Sequence, residues 1–144
     1  MLCVCEKVII DRTTGTHSLI SVMVSAEARF ASPPNSGPPD DLPPNAVVPS
    51  QWFVYAMWET SEEDDGKVAE QVLEVRWPNG DIFLSNRLPF TADKTMRAQN
   101  SVGMVSFPLG QKGDLKIRAW IERDGNCISN VAEGQVTVRH PETV

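Results

Sequence analysis

Leu115-Lys116-Ile117-Arg118-Ala119-Trp120-Ile121-Glu122-Arg123-Asp124-Gly125 sets an apolar residue at every second position and then ends in a turn dipeptide. Alternation with a period of two puts Leu115, Ile117, Ala119 and Ile121 on one face of a strand and Lys116, Arg118, Trp120 and Glu122 on the other. Asp-Gly readily takes positive φ and fits a two-residue hairpin. The stretch therefore reads as a half-buried antiparallel strand, and the rest of the chain is read against it.

The same period recurs outward in both directions. Ile20, Val22, Val24, Ala26, Ala28 and Phe30 alternate with Ser21, Met23, Ser25, Glu27 and Arg29, which predicts one long strand. Val4 to Asp11 precedes it as a strand rich in β-branched residues, and Gly15 in the link suits a hairpin turn. Leu73, Val75 and Trp77 alternate within Gln71 to Trp77; Pro78-Asn79-Gly80-Asp81 then turns the chain into Ile82-Phe83-Leu84. Arg87 to Lys94, with Pro89 inside it, reads as an irregular link. Thr95 to Phe107 reads as a strand with Gly103 marking a bulge. The last strand falls within Cys127 to Arg139. No stretch has the 3.6 period of a good amphipathic helix.

About eight strands joined by tight turns predict an all-β, antiparallel, two-sheet β-sandwich, with a closed β-barrel as the alternative. Ile20, Val22, Val24, Leu73, Val75, Leu115, Ile117 and Ile121 are the expected core. The 144 residues suit a single domain spanning 1–144. Residues 31–50 interrupt it with seven of the eleven prolines, so no ladder is expected to run through that excursion.

The net charge of −6 argues against nucleic acid or an anionic membrane as partner. No apolar run approaches the ~20 residues that span a bilayer. The opening Met1-Leu2-Cys3-Val4-Cys5-Glu6-Lys7 lacks the basic stretch and apolar core of a secretory signal. Three cysteines, Cys3, Cys5 and Cys127, form no disulfide framework. A reduced, cytoplasmic protein is the expectation.

Leu2-Cys3-Val4-Cys5-Glu6-Lys7-Val8-Ile9-Ile10-Asp11 followed by Ser18-Leu19-Ile20-Ser21-Val22-Met23 resembles the start of a family of uncharacterised bacterial proteins, a domain of unknown function. The aromatic strand, acidic loop, Asn-Gly hairpin and closing Gly-x-Leu-x-Ile unit between Trp52 and Gly125 are similar to that family's later pattern. The resemblance implies an immunoglobulin-like sandwich and supplies no catalytic residues. Ser21, where the family tends to carry glycine, and the long proline stretch depart from the pattern.

Chemistry-bearing constellations are sparse. His17 and His140 are the only histidines, and neither sits in a nucleophile motif. Cys3, Cys5, Cys127 and His17 match no zinc spacing. Glu59, Glu62, Glu63, Asp64 and Asp65 offer oxygens to calcium without the EF-hand spacing. No metal, cofactor or enzymatic activity is therefore expected.

Trp52, Val54, Ala56 and Trp58 share one face of Gln51 to Glu59, while Phe53, Tyr55 and Met57 make the other face apolar too. Trp120 stands in the polar register of its own strand. Apolar groups in outward registers mark interfaces. The expectation is a non-enzymatic interaction or structural module, contacting a protein partner or a second copy through Phe53, Tyr55 and Trp120, with Arg118 and Glu122 at the rim. A calcium- or carbohydrate-binding module is the alternative.

Overall fold

The computed structural model describes residues 1–10, 13–14, 17–27, 42–94 and 97–140. Among them the regular structure is all β apart from one short 3-10 turn, Glu62–Asp64. Two sheets pack face to face as a β-sandwich. The four-stranded sheet has the order β2-β1-β4-β7, from β2 (His17–Val22), β1 (Leu2–Ile10), β4 (Val47–Trp58) and β7 (Ala98–Pro108). The six-stranded sheet has the order β3-β10-β8-β5-β6, from β3 (Ser25–Glu27), β10 (Ala132–Arg139), β8 (Gly113–Arg123), β5 (Val68–Arg76) and β6 (Ile82–Thr91). The two-residue β9 (Asn126–Cys127) pairs with the end of β8. Every pairing is antiparallel except β3 with β10, which is parallel. No helix among the described residues is long and apolar enough to cross a membrane.

Alternation determines the core. Leu115, Ile117 and Ala119 of β8 face Leu73 and Val75 of β5 and Val136 and Val138 of β10; Val4, Trp52, Val54 and Met104 close over them from the other sheet. All of these are buried. Trp52 meets Phe107 edge-on with ring centroids 5.1 Å apart, and its indole N–H donates to the Ser106 carbonyl at 2.7 Å.

The turns follow their sequences. Asp124 and Gly125, at φ 51° and 77°, form the two-residue loop between β8 and β9. Gly80, at φ 96°, lets Trp77 N–H reach the Asp81 carbonyl at 2.9 Å.

Several sequence expectations are corrected. The long strand expected over Ile20 to Phe30 is, as far as Glu27, two strands in different sheets; residues 28–30 of that expectation lie outside the described residues. The chain leaves the first sheet after Val22 and enters the second at Ser25; Met23 N–H donates to Val4 O at 2.8 Å, and Thr137 N–H donates to Val24 O at 3.1 Å. The alternation loses its phase in the crossing. Val22 and Val24, expected in the core, are 56% and 73% exposed, and Met23 and Ala26 pack on the core instead. The side chain of Ile20 lies outside the described residues.

The proline-rich excursion is not ladder-free to Ser50: β4 begins at Val47, and Pro49 stands opposite Ser106 beside a register shift. Its stretch 31–41 lies outside the described residues. Pro89 sits within β6 rather than in a link. As an end strand, β6 has one unpaired edge where a missing N–H is tolerated. Gly103 makes no bulge, because register runs unbroken past it. A Cβ there would lie 2.9 Å from Phe53 Cε1, so the glycine makes room for that ring.

Candidate functional site

The residues expected at an interface fall on two outward faces. Phe53 and Tyr55 lie on the outer face of the four-stranded sheet, whereas Arg118, Trp120 and Glu122 lie on the outer face of the six-stranded sheet. They form no single patch. Tyr55, expected as an exposed anchor, is only 3% exposed; it stands opposite Cys3 and donates its hydroxyl to Gln99 Oε1 at 3.2 Å. Burial pushes the Tyr55 phenol up from its ordinary range, and burial does the same to the Cys5 thiol. A buried, protonated thiol is a poor nucleophile. Phe53 is half-buried, its ring against Gly103 of β7.

On the other sheet Trp120 stands directly opposite Val72, which is only 3% exposed although its register points outward. The register neighbours of Val72 on that face are Trp120 on one side and Arg87 on the other. The Trp120 indole N–H donates to Glu122 Oε1 at 2.9 Å, and Arg87 Nη1 donates to Glu122 Oε2 at 2.7 Å and to Glu70 Oε2 at 3.3 Å. The Trp120 hydrogen bond first, and Arg87 second, hold the Glu122 carboxyl below its usual range. Arg118 meets Glu133 at 3.3 Å.

The acidic loop is already in use. Asp64 Oδ2 accepts from the Ser61 hydroxyl at 2.8 Å and the Ser61 amide at 3.2 Å, Asp64 Oδ1 accepts from Arg123 at 3.0 Å, and Asp65 Oδ1 accepts from the Lys94 amide at 3.1 Å. The Ser61 hydrogen bonds, then Arg123, hold the Asp64 carboxyl below its usual range. Among the described residues no group of three or more His, Cys, Asp or Glu could hold a metal ion. Cys3 and Cys5 belong to β1 and Cys127 to β9 of the other sheet.

Sheet order shows a feature that the residue pattern does not. The four end strands of the two sheets are β2, β7, β3 and β6. β6 carries Arg87 and Pro89, and β3 is three residues long with Glu27 at its end. β2 has six residues. β7 is the longest at eleven, contains no Asp, Glu, Lys or Arg, and has proline only at its last position. Met104 turns inward from β7, while Val105 turns outward and is 80% exposed. Charge, proline and shortness are the usual means of protecting an edge. β7 has none of them along most of its length.

Compared with protein-family models, curated proteins and solved structures, the chain matches none.

Proposed function

We propose that the chain is a non-enzymatic interaction module that joins a second copy of itself by antiparallel pairing along β7. The observation that carries this reading is Val105, 80% exposed on an eleven-residue end strand without a single charge. An edge of this kind offers a row of backbone donors and acceptors to another strand.

The charge distribution leaves β7 as the stretch where a second copy can approach. Each chain has a net charge of −6, so two copies repel over most of their surfaces. Two β7 strands brought together oppose no like charges. A two-fold arrangement is also the commonest closed symmetry for soluble chains. Phe53, lying over Gly103, flanks this edge, whereas Trp120, Arg118 and Glu122 lie on the other sheet and take no part. The reading keeps the protein in the cytoplasm, where a buried thiol such as Cys5 stays reduced.

Sedimentation velocity across a range of concentrations tests the proposal. The wild-type chain is expected to be a concentration-dependent dimer, and Val105→Lys a monomer with an unchanged far-UV spectrum. A wild-type monomer at every concentration overturns the reading; a dimer that survives Val105→Lys overturns its placement on β7.

A further inference from the structure

Asn79 is the only asparagine in the chain that is followed by glycine. Of all asparagine dipeptides this one modifies itself most readily, because glycine has no side chain to keep its amide nitrogen away from the asparagine carboxamide. Asn79 and Gly80 are exposed at the turn between β5 and β6, so water reaches both.

The reaction requires the Gly80 nitrogen to give up its proton and attack Asn79 Cγ. The turn engages both groups elsewhere. Gly80 N–H donates to Trp77 O at 2.8 Å, and Trp77 N–H closes the hairpin on Asp81 O at 2.9 Å. The Asn79 carboxamide is held at both ends by one residue: Nδ2 donates to Asp81 Oδ2 at 3.0 Å, and Oδ1 accepts from the Asp81 amide at 2.9 Å. Arg76 Nη1 donates to Gly80 O at 2.7 Å, and Asn79 N–H donates to Gln111 Oε1 at 3.0 Å. A carboxamide pinned at both ends cannot turn Cγ toward Gly80 N without releasing those bonds, which depend on alignment.

We propose that Asn79–Gly80 is a self-modification site, and that Asp81 is the positioning residue that holds it in the amide form. In the reaction the Gly80 N to Asn79 Cγ bond forms, the Cγ–Nδ2 bond breaks, and ammonia leaves carrying the proton given up by Gly80. Water then opens the succinimide at either carbonyl and leaves aspartate or isoaspartate. No oxidant or reductant takes part. Isoaspartate adds one methylene to the main chain inside the Trp77–Asp81 closure, and so puts that hairpin out of register. The change extends to Gln111, which accepts from Asn79 N–H and donates its Nε2 to Pro44 O at 3.2 Å. The site belongs to the six-stranded sheet and does not depend on self-pairing along β7.

The test incubates the full chain at mildly alkaline pH, folded and unfolded in guanidinium chloride. Mass spectrometry of the tryptic peptide Trp77–Arg87, with fragmentation, follows the amide-to-acid mass gain at Asn79. Conversion is expected to be about tenfold or more faster in the unfolded chain, as release of two or more hydrogen bonds predicts. In the folded state Asp81→Ala removes the carboxylate and keeps the backbone amide, and should convert several-fold faster than the wild type with spectral dispersion kept. Asp81→Asn retains an acceptor oxygen there and should stay near the wild type. Equal rates in the folded and unfolded wild type overturn the proposal, and so does another asparagine converting first in the unfolded chain. A folded Asp81→Ala no faster than the wild type, or an Asp81→Asn as fast as Asp81→Ala, overturns the role given to Asp81.

Discussion

The indole N–H of Trp58 on β4 donates to Oε1 of Gln71 on β5 at 2.8 Å, linking the two sheets through a buried polar contact. Asn100 Nδ2, on β7, reaches the same oxygen at 3.2 Å. Gln71 is fully buried, and its Nε2 has no partner. One amide oxygen therefore satisfies two donors while its own nitrogen stays unpaired.

Gln71→Leu is expected to destabilise the fold by about 1–3 kcal/mol. It strands the Trp58 and Asn100 donors, and that loss exceeds the gain from removing one orphan nitrogen. Urea melts of the wild type, Gln71→Leu, Trp58→Phe and the double variant should show the two sites coupled rather than additive. Additive losses would mean that the hydrogen bond contributes nothing.

Gly110 is the glycine least open to change. A Cβ there would lie 2.4 Å from Pro43 O, 2.6 Å from Ala46 N and 2.7 Å from Pro44 C. These are backbone atoms of a turn held by Ala46 N–H on Pro43 O at 2.9 Å, and Gly110 N–H reaches Ala46 O at 2.9 Å. Neither side can yield by rotating a side chain. Gly110→Ala should cost about 3 kcal/mol or more, the upper end for overpacking. Gly103→Ala meets only the Phe53 ring, which can swing away, and should cost about 1 kcal/mol, the lower end of the same range. Thermal melts that rank the two variants in the reverse order would contradict this account.

The sandwich was legible because β8 and β5 each stay in one sheet, so Leu115, Ile117, Leu73 and Val75 keep a constant phase between core and solvent. Ile20 to Phe30 misled because alternation carries no mark of where a chain changes sheets; Val22 and Val24 lie at that crossing. The outward registers of Phe53 and Trp120 were readable from alternation, but their separation onto two sheets was not. The place of β7 at the end of its sheet and the meeting of Arg76, Lys116 and Gln135 were invisible for a related reason. Edge position is set by strand order, and those three side chains meet only through the register of three strands distant in sequence.

Asp64 should give part of the acid sensitivity. Its folded carboxyl is held below the ordinary value by Ser61 and then Arg123, and it returns to about 3.9 on unfolding. The folded chain thus binds fewer protons than the unfolded chain. The resulting stabilisation is complete above the unfolded pKa and is lost as pH falls through the folded one. Asp64→Asn keeps the shape and removes the charge. Urea melts should find it weaker than the wild type at neutral pH, with the gap closing below about pH 4. A gap that stays constant into acid would rule out ionisation of Asp64 as its source.

Trp120 tests the boundary between surface and core. Its side chain stands in an outward register opposite Val72 and donates to Glu122. Trp120→Glu takes an apolar neighbour from Val72, removes that donor and sets a new carboxylate two residues from Glu122 on the same face. Loss of the donor should raise the Glu122 pKa, since the Trp120 hydrogen bond is the first cause of its depression. The fold should survive with a loss of about 1–2 kcal/mol, less than the 2–5 kcal/mol of an Ile→Ala or Leu→Ala change in the core. Because Trp120 lies on the sheet away from β7, the sedimentation behaviour should match the wild type. Far-UV circular dichroism and sedimentation check both halves: an unfolded variant would place Trp120 in the core, and a folded monomer beside a wild-type dimer would move the pairing surface to the six-stranded sheet.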